Sequence, residues 1–211
     1  MPRFSYSTAS KRYHDDVTGR FIGRVAVRNM LDDITDHSAD RMKSWTDSLR
    51  SSQMSIPKWQ ELMAAEIKML HMSFAAAANG GWDQMTSDDW GRVSDYVSEQ
   101  YGYLQGFAED IYTGAQASNG TMAVRATLYA DAARVTYENE RRILEVKSGS
   151  TEEKNLLGGS DHCPDCVEQT LAGWVPINSL IPMGARSCVS RCRCTIIYRE
   201  GPNDQLGSAI D

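Results

Sequence analysis

Residues 55–81 read SIPKWQELMAAEIKMLHMSFAAAANGG, and this stretch decides the fold class. Ser55 is a helix-capping residue type, because its hydroxyl accepts an orphan backbone N–H, and Pro57 is tolerated in a first turn. Trp59, Leu62, Met63, Ile67, Leu70 and Phe74 then keep to one helical face until Asn79-Gly80-Gly81 stops the run. The spacing predicts an amphipathic helix whose apolar face needs partners.

The partners lie on either side in sequence. Upstream, Val27, Leu31, Ile34, Met42, Trp45 and Leu49 repeat the stripe between Gly23 and Met54. Downstream, Thr86 or Ser87 followed by Asp88-Asp89 is a helix start, since a hydroxyl caps and carboxylates favour the positive helix end. Trp90, Val93, Val97, Tyr101, Leu104, Phe107 and Ile111 follow as a third stripe. After Asn119-Gly120, a fourth, alanine-rich helix carries Met122, Arg125, Leu128, Tyr129, Ala132, Ala133, Val135, Tyr137, Ile143 and Leu144. Four such helices with short connections predict an antiparallel bundle over residues 23–147.

Residues 1–22 have no helical period and read as an extended N-terminal arm with a turn at Thr18-Gly19. Phe4, Tyr6, Tyr13 and Phe21 among Arg3, Lys11, Arg12 and Arg20 give the arm the composition of an interface core, which predicts docking onto a neighbouring subunit. Packing on its own bundle is the alternative. Ser148-Gly149-Ser150-Thr151 reads as a hinge, and residues 148–211 shift to Gly, Pro, Cys and β-branched types, with a clear strand at Thr195-Ile196-Ile197-Tyr198. The predicted class is mainly α: a helical-bundle domain followed by a small zinc-stabilised α+β domain.

Composition supports a folded chain. Of 211 residues, 41% are hydrophobic and 24% charged, which argues against disorder, collagen and coiled-coil classes. The net charge of −6 is not that of a non-specific DNA binder. No stretch approaches the roughly 18 apolar residues that span a bilayer, and no signal-like run opens the chain, so secretion and a membrane partner are not expected.

All five cysteines, Cys163, Cys166, Cys188, Cys192 and Cys194, fall in the last quarter. Their odd number argues against a closed disulfide framework, and a reducing compartment favours metal binding. A C-x-x-C pair followed by C-x-x-x-C-x-C has the layout of a structural Zn2+ site, in which two cysteine groups close a tetrahedron. Cys163 and Cys166 are expected ligands, with two more from Cys188, Cys192 and Cys194; the alternative is a set of buried free thiols. A tail this short also needs help, since small cores rarely stabilise themselves. His162, beside Cys163, is expected at the surface or behind a ligand.

Between Gly184 and Arg199 stand Arg186, Arg191, Arg193 and Arg199 with no acid. They are either possible DNA or partner contacts or a balance for the negative charge of a zinc–thiolate centre. No metallohydrolase, nucleophile-elbow, dinucleotide or P-loop motif is present, so no catalytic activity is expected. Trp45, Trp59 and Trp90 fall on apolar stripes; Trp82 and Trp174, beside glycines, are candidate interface contacts.

The tail, from Asp161-His162-Cys163-Pro164-Asp165-Cys166 through Trp174, Pro176, Pro182 and Gly184 to Cys192-Arg193-Cys194-Thr195, resembles the C-terminal zinc region of the Mu F-like minor head proteins of tailed phages. Gly80 to Thr86, Trp90-Gly91 and Tyr101 to Ala108 are similar to the helical part of one branch of that family. Where the family commonly places a histidine, this chain has Val189 next to Cys188, so the resemblance implies either that Cys188 replaces that histidine as a ligand or that the histidine is not a ligand at all. The resemblance implies a non-catalytic minor virion protein, in multiple copies, associated with the portal or the major capsid protein at the head or head–tail junction and present in the host cytoplasm during assembly. Two further readings are a zinc-ribbon nucleic-acid-binding protein and a thiol redox enzyme built on Cys163 and Cys166.

Overall fold

A computed structural model describes residues 4–7, 10, 12–159, 162–188 and 192–202, with the backbone alone for Phe4, Tyr6 and Arg24. Arg3, Lys11, Asp161, Val189, Arg191 and the last nine residues, all within the readings above, lie outside the described residues. The protein is mainly helical, with a small cysteine-bearing sheet region at its C-terminal end. No helix among the described residues is long and apolar enough to cross a membrane.

Four long helices form the bundle: α1 (Arg24–Arg50), α2 (Ile56–Asn79), α3 (Ser87–Thr113) and α4 (Gly120–Lys147). Their starts follow the capping chemistry. Ser55 accepts from the Lys58 N–H, Asn119 accepts from Thr121, and Thr86 rather than Ser87 caps α3 in a reciprocal box with Asp89. Gly80 and Gly114 end α2 and α3 with positive φ, the left-handed geometry a side chain resists. The first helix ends four residues before the predicted Met54, because the chain turns at Ser51 and Ser52; Met54 still packs on the core.

Cross-helix pairs fix the up-down-up-down order. Trp59 Nε1 donates to Thr46 Oγ1 at 3.0 Å and Ser38 donates to Glu66, which runs α2 antiparallel to α1. Tyr101 donates to Ala64 O and the Phe107 ring meets Trp59 edge-on, which returns α3 along α2. Arg92 pairs with Glu140 and Arg125 with Asp110 at opposite ends of α3 and α4. Leu31, Met42, Trp59, Met63, Ile67, Phe74, Phe107 and Met122 fill the centre. Trp45 and Trp90 are partly buried on apolar clusters, and Trp82 is half-exposed and stacked on Trp90.

The described residues of the N-terminal arm pair with one another as strands. Strands β1 (Phe4–Ser7), β2 (Arg12–Asp15) and β3 (Phe21–Ile22) make an antiparallel sheet in that order, with Tyr6 opposite Tyr13 and Tyr13 opposite Ile22. Asp15 Oδ1 accepts the N–H groups of Val17 and Thr18 and Gly19 takes a positive φ, so the predicted turn becomes a hairpin. Tyr13, 2% exposed, anchors the sheet to the bundle: its hydroxyl meets Ala78 O, Tyr137 and Arg141. Phe21 stays exposed, with Arg12 over its ring.

The second half of α4 departs from the amphipathic rule. Arg134, Glu138, Glu140, Arg141, Arg142 and Glu145 are all buried and paired: Arg134 with Glu138, Arg141 with Glu145, Glu140 with Arg92 and Arg142 with Glu153. Glu140 faces α3 and Arg141 meets Tyr13 of the N-terminal sheet, whereas Arg142 meets the C-terminal region, which consists of β4 (Glu152–Leu156), α5 (Pro164–Leu171), β5 (Val175–Pro176) and β6 (Thr195–Arg199), the strands in antiparallel order β5-β4-β6. The predicted hinge is stitched down. Ser150 is buried and bonded to Glu145 through N–H and hydroxyl, and Thr151 pairs with Arg199 O.

Candidate metal centre

Cys163-Pro164-Asp165-Cys166 opens α5, with Cys163 as N-cap, Pro164 in the first turn and Cys166 one turn in. Proline suits a first turn because its missing N–H would be unsatisfied there anyway. This local geometry turns both sulfurs toward one point, and the helix start supplies N–H groups and a partial positive charge. Asp165 Oδ2 then accepts the Ser187 N–H at 2.8 Å, which brings the loop carrying Cys188 to the same place.

The remaining cysteines arrive from the strand side. β4 and β6 pair with Asn155 opposite Ile196, which sets Cys192 and Cys194 beside α5. Asn155, fully buried, donates to Cys166 O and to Thr170 Oγ1 and so ties α5 to the sheet. Gly158 makes the approach possible: a Cβ there would lie 2.2 Å from Arg193 O.

All five thiols converge, as two groups that share Cys166: Cys163, Cys166 and Cys188, and Cys166, Cys192 and Cys194. Within each group the sulfurs lie within 4.8 Å of one another. Cys166 Sγ is 3.7 Å from Cys188 Sγ and 3.3 Å from Cys192 Sγ. Two thiolates on one tetrahedral ion with metal–sulfur bonds of about 2.3 Å sit about 3.8 Å apart, so the spacing fits ligands of a common ion. The cluster can hold a metal ion. His162 joins neither group.

Electrostatics distinguish the thiols. Burial pushes Cys163 up, but bonds from Ser187 and from the Cys166 N–H outweigh it and bring the thiol down to about 6. Burial pushes Cys188 up to about 12, with Cys163 and Cys192 adding to the rise. Cys166 is raised by burial against the pull of Arg186, and Cys194 is raised by burial while accepting from the Gly158 N–H. Crowded thiolates repel one another, and a divalent cation removes that penalty.

The arginines divide. Arg186 is buried, bonds Ile181 O and Asn155 Oδ1 and reaches the cluster, so its guanidinium is turned inward. Arg199 lies over the Trp174 ring at 4.2 Å and pairs with Glu152. Arg193 is exposed, and its carbonyl accepts from Arg28. Asn155, Ser187, Gly158 and Glu153 were not singled out from sequence; the Gly158-Gly159 pair was the one local signal that backbones approach here.

No family model, no curated protein and no solved structure matches this chain. Fold and site define a class: a helical bundle with a small C-terminal sheet region carrying a cysteine cluster that could hold a metal ion.

Proposed function

We propose that this chain is a structural minor head protein of a tailed phage, acting in head assembly at the portal, capsid shell or head–tail junction, with structural zinc in its tail. The observation that supports this best is the convergence of all five tail cysteines into two groups that share Cys166. An ion held by four of these thiolates would have no position left for water or substrate, which suits structure rather than turnover. The same cysteines carry the resemblance to the Mu F-like minor head proteins.

Cys163, Cys166, Cys188 and Cys192 are the proposed ligands. Cys188 lies against Cys163, Cys166 and Cys192, whereas Cys194 meets Cys166 and Cys192 and is already engaged by the Gly158 N–H. When bound, zinc would cross-link the α5 start, the 181–188 loop and the lead-in to β6, elements that share only a small apolar core.

Electron cryomicroscopy of assembled particles tests the function. The expected result is this chain at the portal or inner shell; its absence from both proheads and virions would sink the reading. Exposed Arg193 favours a nucleic-acid reading as the second choice, now without Arg186. Filter binding across a salt series separates the two, because phosphate contacts give a steep loss of affinity with salt.

A further inference from the structure

Arg186 is 2% exposed, and guanidinium groups do not deprotonate in proteins. Its Nε donates to Ile181 O at 2.8 Å, and its Nη1 donates to Asn155 Oδ1 at 2.9 Å and lies 3.6 Å from Cys166 Sγ. Its Nη2 is buried with no acceptor. Ile181 O and Asn155 Oδ1 are neutral, and among the described residues no carboxylate forms an ion pair with Arg186. Asp165 acts on it only from a distance, its own carboxylate being held by Ser187 at the surface.

A buried cation without a counter-charge is strongly unfavourable, and the one acceptor here that can become anionic is sulfur. Four thiolates around a divalent ion carry a formal charge of about −2, which leaves a negative centre beside the guanidinium. Resting on the metal reading above, we propose that Arg186 is the built-in counter-ion of the thiolate–metal centre, with Nη1 on the Cys166 thiolate and Nη2 free for a second anionic sulfur. Arg186 is a positioning residue in this role. Because it also grips Ile181 and Asn155, its attraction to the centre joins the metal to β4 and to the loop that delivers Cys188.

The test uses the full chain. Zinc affinity is measured by competition with a chromophoric chelator for wild type, Arg186→Met and Arg186→Lys, and the reduction potential of the iron-substituted centre is measured for each. Loss of a group bonded to a metal ligand costs 10–100-fold in affinity. Arg186→Met should show that loss and a more negative potential, because the reduced iron centre carries more negative charge. Arg186→Lys should recover most of both. Arg186→Met binding zinc within about threefold of wild type would overturn the proposal against the expected 10–100-fold loss. If Arg186→Met does not fold, Arg186→Lys carries the test: a potential close to wild type supports the counter-ion, and a tenfold weaker zinc affinity with a potential well below wild type overturns it. Wild type that takes up neither zinc nor iron removes the metal reading itself, a result unlike any of these.

Discussion

Glu153→Ala is the sharpest perturbation of how the cysteine-bearing region sits on the bundle. Glu153 is fully buried on β4; it takes Arg142 Nε and Nη2 at 2.9 and 3.1 Å and also accepts the Leu180 N–H at 2.9 Å. Arg142, itself buried, has Leu180 O as its other partner at 2.6 Å. Removing the carboxylate leaves a buried guanidinium without a counter-charge, which costs about 3–5 kcal/mol. At about 2–4 °C per kcal/mol for a chain of this size, the melting midpoint should fall by roughly 6–20 °C. Replacing both partners by Leu or Met should be milder than the two single losses added together, leaving mainly the unpaired Leu180 N–H and C=O at about 1–3 kcal/mol each. The assay is urea unfolding of metal-loaded full-length protein as a double-mutant cycle, with amide exchange over residues 134–156. A cost under about 1 kcal/mol for Glu153→Ala would show the pair to be solvated, as exposed ion pairs are, and would refute the docking of this region on α4.

Other outcomes follow from single residues. Cys166→Ser should abolish stoichiometric metal uptake, whereas Cys194→Ser should retain about one zinc per chain; metal analysis with native thiol titration checks both. Tyr13→Ala should lower stability by about 3–5 kcal/mol in calorimetry, as for other buried aromatics, because the N-terminal sheet packs through this ring on the bundle. His71 is buried and desolvated, with its pKa lowered from 6.5 to about 4. Below pH 6.5 the unfolded chain takes up a proton that the folded one does not, so stability should fall as pH drops from 6.5 to about 4, by about 1.4 kcal/mol per unit of pKa shift. A His71→Leu variant should lose that slope, and an unchanged difference between pH 7 and pH 4.5 would contradict the burial argument.

The bundle was legible in sequence because its information is local. A stripe such as Trp59, Met63, Ile67, Leu70 and Phe74, together with caps at Ser55 and Gly80, specifies a helix and the face it buries without reference to the rest of the chain. The C-x-x-C pair was equally legible, since a cysteine cap, a first-turn proline and a cysteine one turn later fix two sulfurs within a single helical turn. The arm was half legible: the turn at Thr18-Gly19 could be read locally, but the strand pairing around it was not, and the burial of Tyr13 against Ala78, Tyr137 and Arg141 depends on residues more than sixty positions away.

Tertiary structure alone decided where the charges go. Arg142, Glu145 and Arg186 have the residue types of a solvated surface, and nothing within a few residues of each announces otherwise. Glu153 lies eleven positions from Arg142, Asn155 thirty-one from Arg186, and only the packing of β4 on α4 and of the 180–186 segment on β4 bring them together. A charge is buried when a partner arrives to compensate it, and the partner's arrival is a property of the assembled fold rather than of either segment. The same reason left the ligand set open, because Cys192 and Cys194 share one side of the lead-in to a strand and differ only in their tertiary neighbours, Cys188 beside Cys192 and the Gly158 N–H on Cys194.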